Sequence, residues 1–190
     1  MDFKRLQEAK GWYNKIIEFC DSFAKKGWIE TKGLKFSEIY EYDILHYIMY
    51  LIAADSNICQ QEVDVYRFIT GYGGDDIDSI KEMIENSNVM TYNFQSEAPL
   101  SLKLLIKGLN EYLIENPDAE ELVSNTIEIY LLAYMTIGKE VIRADDRVLY
   151  AEKRDCQAFC ETLKQYIQEN AYVSLEGTLA SLLSELGDLF

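Results

Sequence analysis

Proline occurs only twice in this chain, at Pro99 and Pro117, and each heads a stretch patterned as a helix. Proline loses nothing in a first helical turn, whereas inside a helix it breaks the hydrogen-bond ladder. Beyond Pro99, the residues Leu102, Leu105, Ile106, Leu109 and Leu113 form an apolar stripe at helical spacing, with Lys103, Lys107 and Glu111 opposite. Beyond Pro117, Asp118, Glu120 and Glu121 place acids in a first turn, where they complement the helix dipole. That helix is expected to run through Leu122, Ile129, Leu132 and Met135 to Ile142. Phe3, Leu6, Trp12, Ile16, Phe19 and Phe23 predict a long opening helix that stops near Gly27. Ser37 is the expected cap of a second helix ending at Ala54, and Gln60 to Thr70 is a third, closed by Gly71. Asp75 or Asp76 opens a fourth on Ile77, Ile80, Met83 and Ile84. Ala151 to Glu169 is the seventh, and an eighth runs from Ser174 towards Leu186 on Leu175, Leu179, Leu182 and Leu183. Strand-type alternation is scarce, and Asn88 to Ala98 is the one substantial loop expected. The expected fold is all-α, with seven or eight helices.

A chain of 190 residues, 48% apolar and 27% charged, can bury a real core. It reads as one domain: an N-terminal helix and connection over 1–36, a core over 37–169 and an amphipathic C-terminal helix over 174–190. Thirty-three acidic residues against 18 basic ones give a net charge of −15, which makes nucleic acid a poor partner. The single histidine, His46, removes most acid–base enzymology and most zinc chemistry, so the chain is read as non-enzymatic. Its charged start argues against a signal peptide. The longest uncharged runs, Ile44 to Ala54 and Ile129 to Gly138, fall short of the ~20 residues that cross a bilayer. No transmembrane segment is expected, and the expected location is cytoplasmic. Cys20, Cys59, Cys156 and Cys160 lack CxxC spacing and read as reduced core thiols.

The most informative pattern is a repeat. Ile52-Ala53-Ala54-Asp55-Ser56-Asn57-Ile58-Cys59-Gln60-Gln61-Glu62 aligns with Ile142-Arg143-Ala144-Asp145-Asp146-Arg147-Val148-Leu149-Tyr150-Ala151-Glu152 at an offset of 90 residues. Each copy follows one of the uncharged helix segments and precedes another helix. Two pseudo-symmetric halves packed about an approximate two-fold would explain it.

Two readings of the repeated acids stand side by side. In the structural one, the Asp ties backbone amides in a tight turn and the Glu reaches back as a capping-box acid. In the functional one, Asp55, Glu62, Asp145 and Glu152 offer carboxylate oxygens to a divalent cation, Ca2+ or Mg2+. The loops are not EF-hands, because the twelfth position from each Asp is Tyr66 or Cys156. They are not ferritin-type di-iron sites either, since one histidine cannot supply two Glu-x-x-His motifs. The capping reading is the commoner chemistry and is favoured, with weak cation binding at most.

Taken together, Ile52-Ala53-Ala54-Asp55 through Ile58 to Glu62, and its second copy, resemble the TerB-like tellurite-resistance family. The resemblance covers about Ser37 to Leu163. It implies a cytosolic helical bundle of two related halves, acidic turns proposed to bind divalent metal, and a place in a bacterial stress-response or signalling assembly. Ser56 and Asp146 replace the family's usual glycine after the Asp, and Cys59 and Leu149 replace its usual Ser or Thr cap. The leucines from Leu175 to Leu186 also resemble helices that join helical domains to AAA-type ATPase modules. An alternative reading is therefore a metal-free protein-interaction adaptor related to such domains. A carboxylate-based metal hydrolase is the third.

Of the remaining features, Gly71-Tyr72-Gly73-Gly74-Asp75-Asp76 lacks the Lys-Ser/Thr of a phosphate loop and reads as a helix stop followed by an acidic helix start. His46 lies among apolar neighbours and reads as a core histidine. The fourteen tyrosines read mainly as core, and any that are exposed would favour recognition of a protein partner.

Overall fold

The computed structural model describes residues 3–54, 58–71, 76–87, 94, 96–144, 150–174 and 181. Among the described residues there are seven α-helices: α1 Phe3–Lys25, α2 Phe36–Ile52, α3 Gln60–Thr70, α4 Ile77–Asn86, α5 Leu100–Glu115, α6 Glu120–Ile142 and α7 Tyr150–Asn170. A short 3-10 turn, Pro117–Ala119, leads into α6. Among the described residues there is no strand. The expected eighth helix lies outside the described residues, apart from Ser174 and Ser181, and so does most of the loop before Pro99.

The two uncharged segments become the centre. The helices α2 and α6 pack on one another, and both contact α1, α3, α5 and α7. The longest packed seam is that of α1 along α6, while the short α4 rests on α2 and α3. Burial on nearly all sides is why these two segments carry no charged side chain. Their interface is aromatic: Tyr40, Tyr47, Tyr130, Tyr134, Phe94 and Phe159 are almost wholly buried. Ring centroids within this group lie 4.5–6.3 Å apart, the spacing of tilted and edge-on pairs.

The 90-residue offset runs through the architecture. The ends of α1 and α5 (Lys25, Glu115) and those of α2 and α6 (Ile52, Ile142) are 90 apart, as are the starts of α3 and α7 (Gln60, Tyr150). Burial follows the same register: Glu62, Tyr66, Ile69 and Thr70 are buried, and so are Glu152, Cys156, Phe159 and Cys160. Tyr40 and its counterpart Tyr130 meet each other, 5.5 Å between rings, as residues beside a two-fold would.

One expected cap is corrected. Ser37 lies inside α2, which begins at Phe36 after Lys35. Its N–H is taken by Asp21 Oδ1 of α1 at 3.0 Å, and the Lys35 N–H by Glu38 Oε2 at 3.0 Å. The helix start is thus satisfied partly from another helix, which local sequence does not announce.

Candidate functional site

Of the four acids that the repeat singles out, Asp55 and Asp145 lie outside the described residues. Glu62 and Glu152 are described, and each is 3% exposed. Glu62 stands in the first turn of α3, where its Oε2 accepts the Cys59 N–H at 2.7 Å. The two residues form a reciprocal capping box, in which a cysteine sulfur is the weak partner and this carboxylate the strong one. Desolvation, together with the Glu62 carboxylate, pushes the Cys59 thiol up to about 11, which makes a thiolate metal ligand costly there. Glu152 holds the equivalent first-turn position in α7.

Glu62 and Glu152 thus hold equivalent first-turn places in α3 and α7. Helices α3 and α7 each pack on both α2 and α6, without an extensive interface between themselves. Among the described residues, no group of three or more His, Cys, Asp or Glu side chains is arranged to hold a metal ion. Asp155, also buried, receives Arg154 through Nε and Nη2, both at 2.7 Å.

Sequence reasoning missed a second polar cluster, deeper in the molecule. Asp43 of α2 is 3% exposed, and its Oδ2 accepts the Ser101 N–H at 2.7 Å. Pro99 precedes α5 without a side-chain cap, so Asp43 caps that helix from 58 residues away. Burial raises the Asp43 carboxyl above its usual range, against the opposing hydrogen bonds from Ser101 and the nearby His46 and Lys103. The Ser101 hydroxyl continues the chain to Tyr130 OH at 2.8 Å. His46 is buried; its Nδ1 donates to the Tyr42 carbonyl at 2.8 Å, and its ring lies tilted against that of Tyr42, 3.9 Å between centroids. A signal was available: Tyr40, Asp43, Ile44 and Tyr47 share one helical face, and a carboxylate on such a face needs a buried partner.

The cysteines are free thiols, three of them buried. Cys156 Sγ lies 3.3 Å from Tyr47 OH, and both crowd Gly138, where a Cβ would come within 2.3 Å of that hydroxyl. This close approach fixes α6 against α2 and α7. It leaves no room for a ligand.

Among the described tyrosines, Tyr13, Tyr40, Tyr47, Tyr50, Tyr66, Tyr130 and Tyr134 are core, Tyr112 and Tyr166 are half-buried, and Tyr42, Tyr150 and Tyr172 are 56%, 80% and 67% exposed. No helix among the described residues is long and apolar enough to cross a membrane. No protein-family model matches the chain, and no curated protein or solved structure matches it either.

Proposed function

We propose that the chain is a non-enzymatic helical interaction module of TerB-like architecture. One observation carries the reading: Glu62, itself buried, is engaged on the Cys59 N–H at the start of α3. A carboxylate so engaged shapes a helix–turn–helix unit rather than offering a reactive group. The same 90-residue spacing relates the ends of α2 and α6 and the starts of α3 and α7, as a bundle of two related halves requires. Its assignment to a stress-response assembly in the cytoplasm rests on the sequence resemblance alone. Exposed Tyr42, Tyr150 and Tyr172 supply the kind of side chain that protein interfaces favour.

In this reading the acidic turns are structural, and calcium or magnesium binds weakly at most. The discriminating measurement is thermal unfolding with Ca2+ or Mg2+ against sodium at matched ionic strength. A specific cation site would add about 2.7 kcal/mol at a hundredfold excess over Kd. The expected result is no cation-specific gain, and a loss of about 0.5–2 kcal/mol for Glu62→Ala with or without cation. A tight stoichiometric site abolished by Asp145→Asn would overturn this and establish the metal-binding alternative.

A further inference from the structure

The charge of the chain is unevenly divided. Residues 1–36 hold eight basic and five acidic side chains, whereas the remaining residues hold ten basic and twenty-eight acidic. The excess of positive charge concentrates at the α1–α2 corner, where Lys25, Lys26, Lys32 and Lys35 are all exposed within eleven residues. The acids of that corner have partners of their own. Asp21 accepts the Ser37 N–H, Glu38 accepts the Lys35 N–H, and Glu30 faces Lys107 of α5 at 3.6 Å. Among the described residues, none of the four lysines makes an ion pair.

The corner is also held in shape. Trp28 N–H closes back on the Phe23 carbonyl at 3.1 Å, and Leu34 N–H on the Thr31 carbonyl at 3.2 Å. Lys32 and Gly33 adopt φ of 51° and 92°, the left-handed conformation that turns the chain towards α2. Trp28 packs edge-on against Tyr112, and its carbonyl lies so close to Gly108 that a Cβ there would approach to 2.5 Å. The loop is strapped to α5, so ordering it costs nothing on binding. A hollow of about 280 Å³ is lined there by Ala24, Thr31, Leu34 and Phe36, by Lys25 and Lys35, and by Asp21, whose carboxylate is engaged on the Ser37 N–H. Leu34 is 58% exposed.

We propose that this corner docks a short acidic segment of a partner protein, with an apolar side chain in the hollow and carboxylates on the lysines. The proposal deepens the interaction-module reading and rests on it. The choice of occupant follows from the rest of the charge. A membrane or nucleic acid is an extended anionic surface, and docking it would bring phosphates against the acidic remainder of the molecule. A second copy carries the same net −15. A short flexible segment meets the lysine corner alone, because beyond about 10 Å the rest is screened at 0.1 M salt.

The test is fluorescence anisotropy with a labelled peptide of Glu and Asp residues around one leucine. Wild-type protein is expected to bind it, more weakly as salt rises. The combined Lys25→Gln, Lys26→Gln, Lys32→Gln and Lys35→Gln variant should weaken binding about tenfold or more, since each exposed pair contributes modestly. Leu34→Ser should weaken it while keeping the salt dependence, and Lys81→Gln with Lys164→Gln should leave it unchanged. Circular dichroism checks that each variant keeps its helix content, and Lys35→Gln alone serves should the combined variant fail to fold. No binding, equal binding by the combined variant, or preference for phosphatidylserine vesicles or single-stranded DNA would overturn the proposal. Cross-linking in native lysate separates it from the broader reading. A partner captured equally by wild type and the combined variant removes the corner and keeps the module. Peptide binding at the corner with empty captures does the reverse.

Discussion

Asp43 sits where a carboxylate is costliest, on the buried face of a central helix, and it is held there by one backbone N–H of a distant helix. Burial raises its pKa, so the folded state holds the proton more tightly than the unfolded chain does. Its contribution to stability is therefore greatest where it is protonated, and is lost as pH rises from about 4 through the folded value. Asp43→Asn keeps an oxygen for the Ser101 N–H and cannot ionise. Wild type should lose stability relative to this variant as pH climbs above about 4, with the difference flat below. Urea unfolding across a pH series checks the slope, and a difference that shrinks with rising pH would reverse the argument. Nearby, the hydroxyls of Tyr40 and Tyr66 are buried with no hydrogen-bond partner among the described residues, whereas Tyr130 bonds Ser101. Removing an unsatisfied hydroxyl is neutral or stabilising, while removing a bonded one costs about 1 kcal/mol. Tyr40→Phe should leave the urea midpoint unchanged or higher, and Tyr130→Phe should lower it.

At the scale of the element, two helical glycines make opposite demands. Gly11 in α1 has nothing within 4 Å of a built Cβ, so Gly11→Ala should stabilise by up to about 1 kcal/mol through helix propensity. Gly108 in α5 has the Trp28 carbonyl at 2.5 Å and Ile29 Cγ1 at 2.8 Å. There the clash outweighs the propensity gain, and Gly108→Ala should cost about 1–3 kcal/mol. Melting temperatures of the two variants, moving in opposite directions, would establish this; both rising would refute the close packing of the corner on α5. These demands explain what the sequence reveals. Helix ends set by neighbouring residues are readable: α3 spans Gln60–Thr70 and stops at Gly71 with φ 74°, and Asp76 Oδ1 caps α4 through Ser79 N–H. Glu62 is readable as a capping acid for the same reason, its partner being three residues away. The α2 start and the Asp43–Ser101 bond are not, because each is completed by a residue from a different helix. Local patterns state a need for a partner and cannot say which distant group meets it.

For the whole molecule, the duplication shapes how the chain must unfold. If the halves were beads on a string, α1–α3 and α5–α7 would each enclose a core and melt separately. The packing is interlocked instead: α1 and α3 lie on α6 of the second half, while α5 and α7 lie on α2 of the first. The aromatic interface likewise draws Tyr40 and Tyr47 from one half and Tyr130, Tyr134 and Phe159 from the other. Separating the halves would expose much of that burial at ~25 cal/mol per Å² of apolar surface, leaving neither half a closed core. A single cooperative transition follows, with the calorimetric enthalpy equal to the van't Hoff enthalpy. Disruption at the shared interface should then destabilise both halves together. Tyr47 lies within 4.5 Å of Phe159, ring to ring, and its truncation to alanine should cost about 3–5 kcal/mol. Hydrogen exchange in Tyr47→Ala should accelerate in α6 and α7 as much as in α2 and α3. Two resolved transitions, or faster exchange confined to α2 and α3, would mean that the repeats fold as independent units despite their shared core.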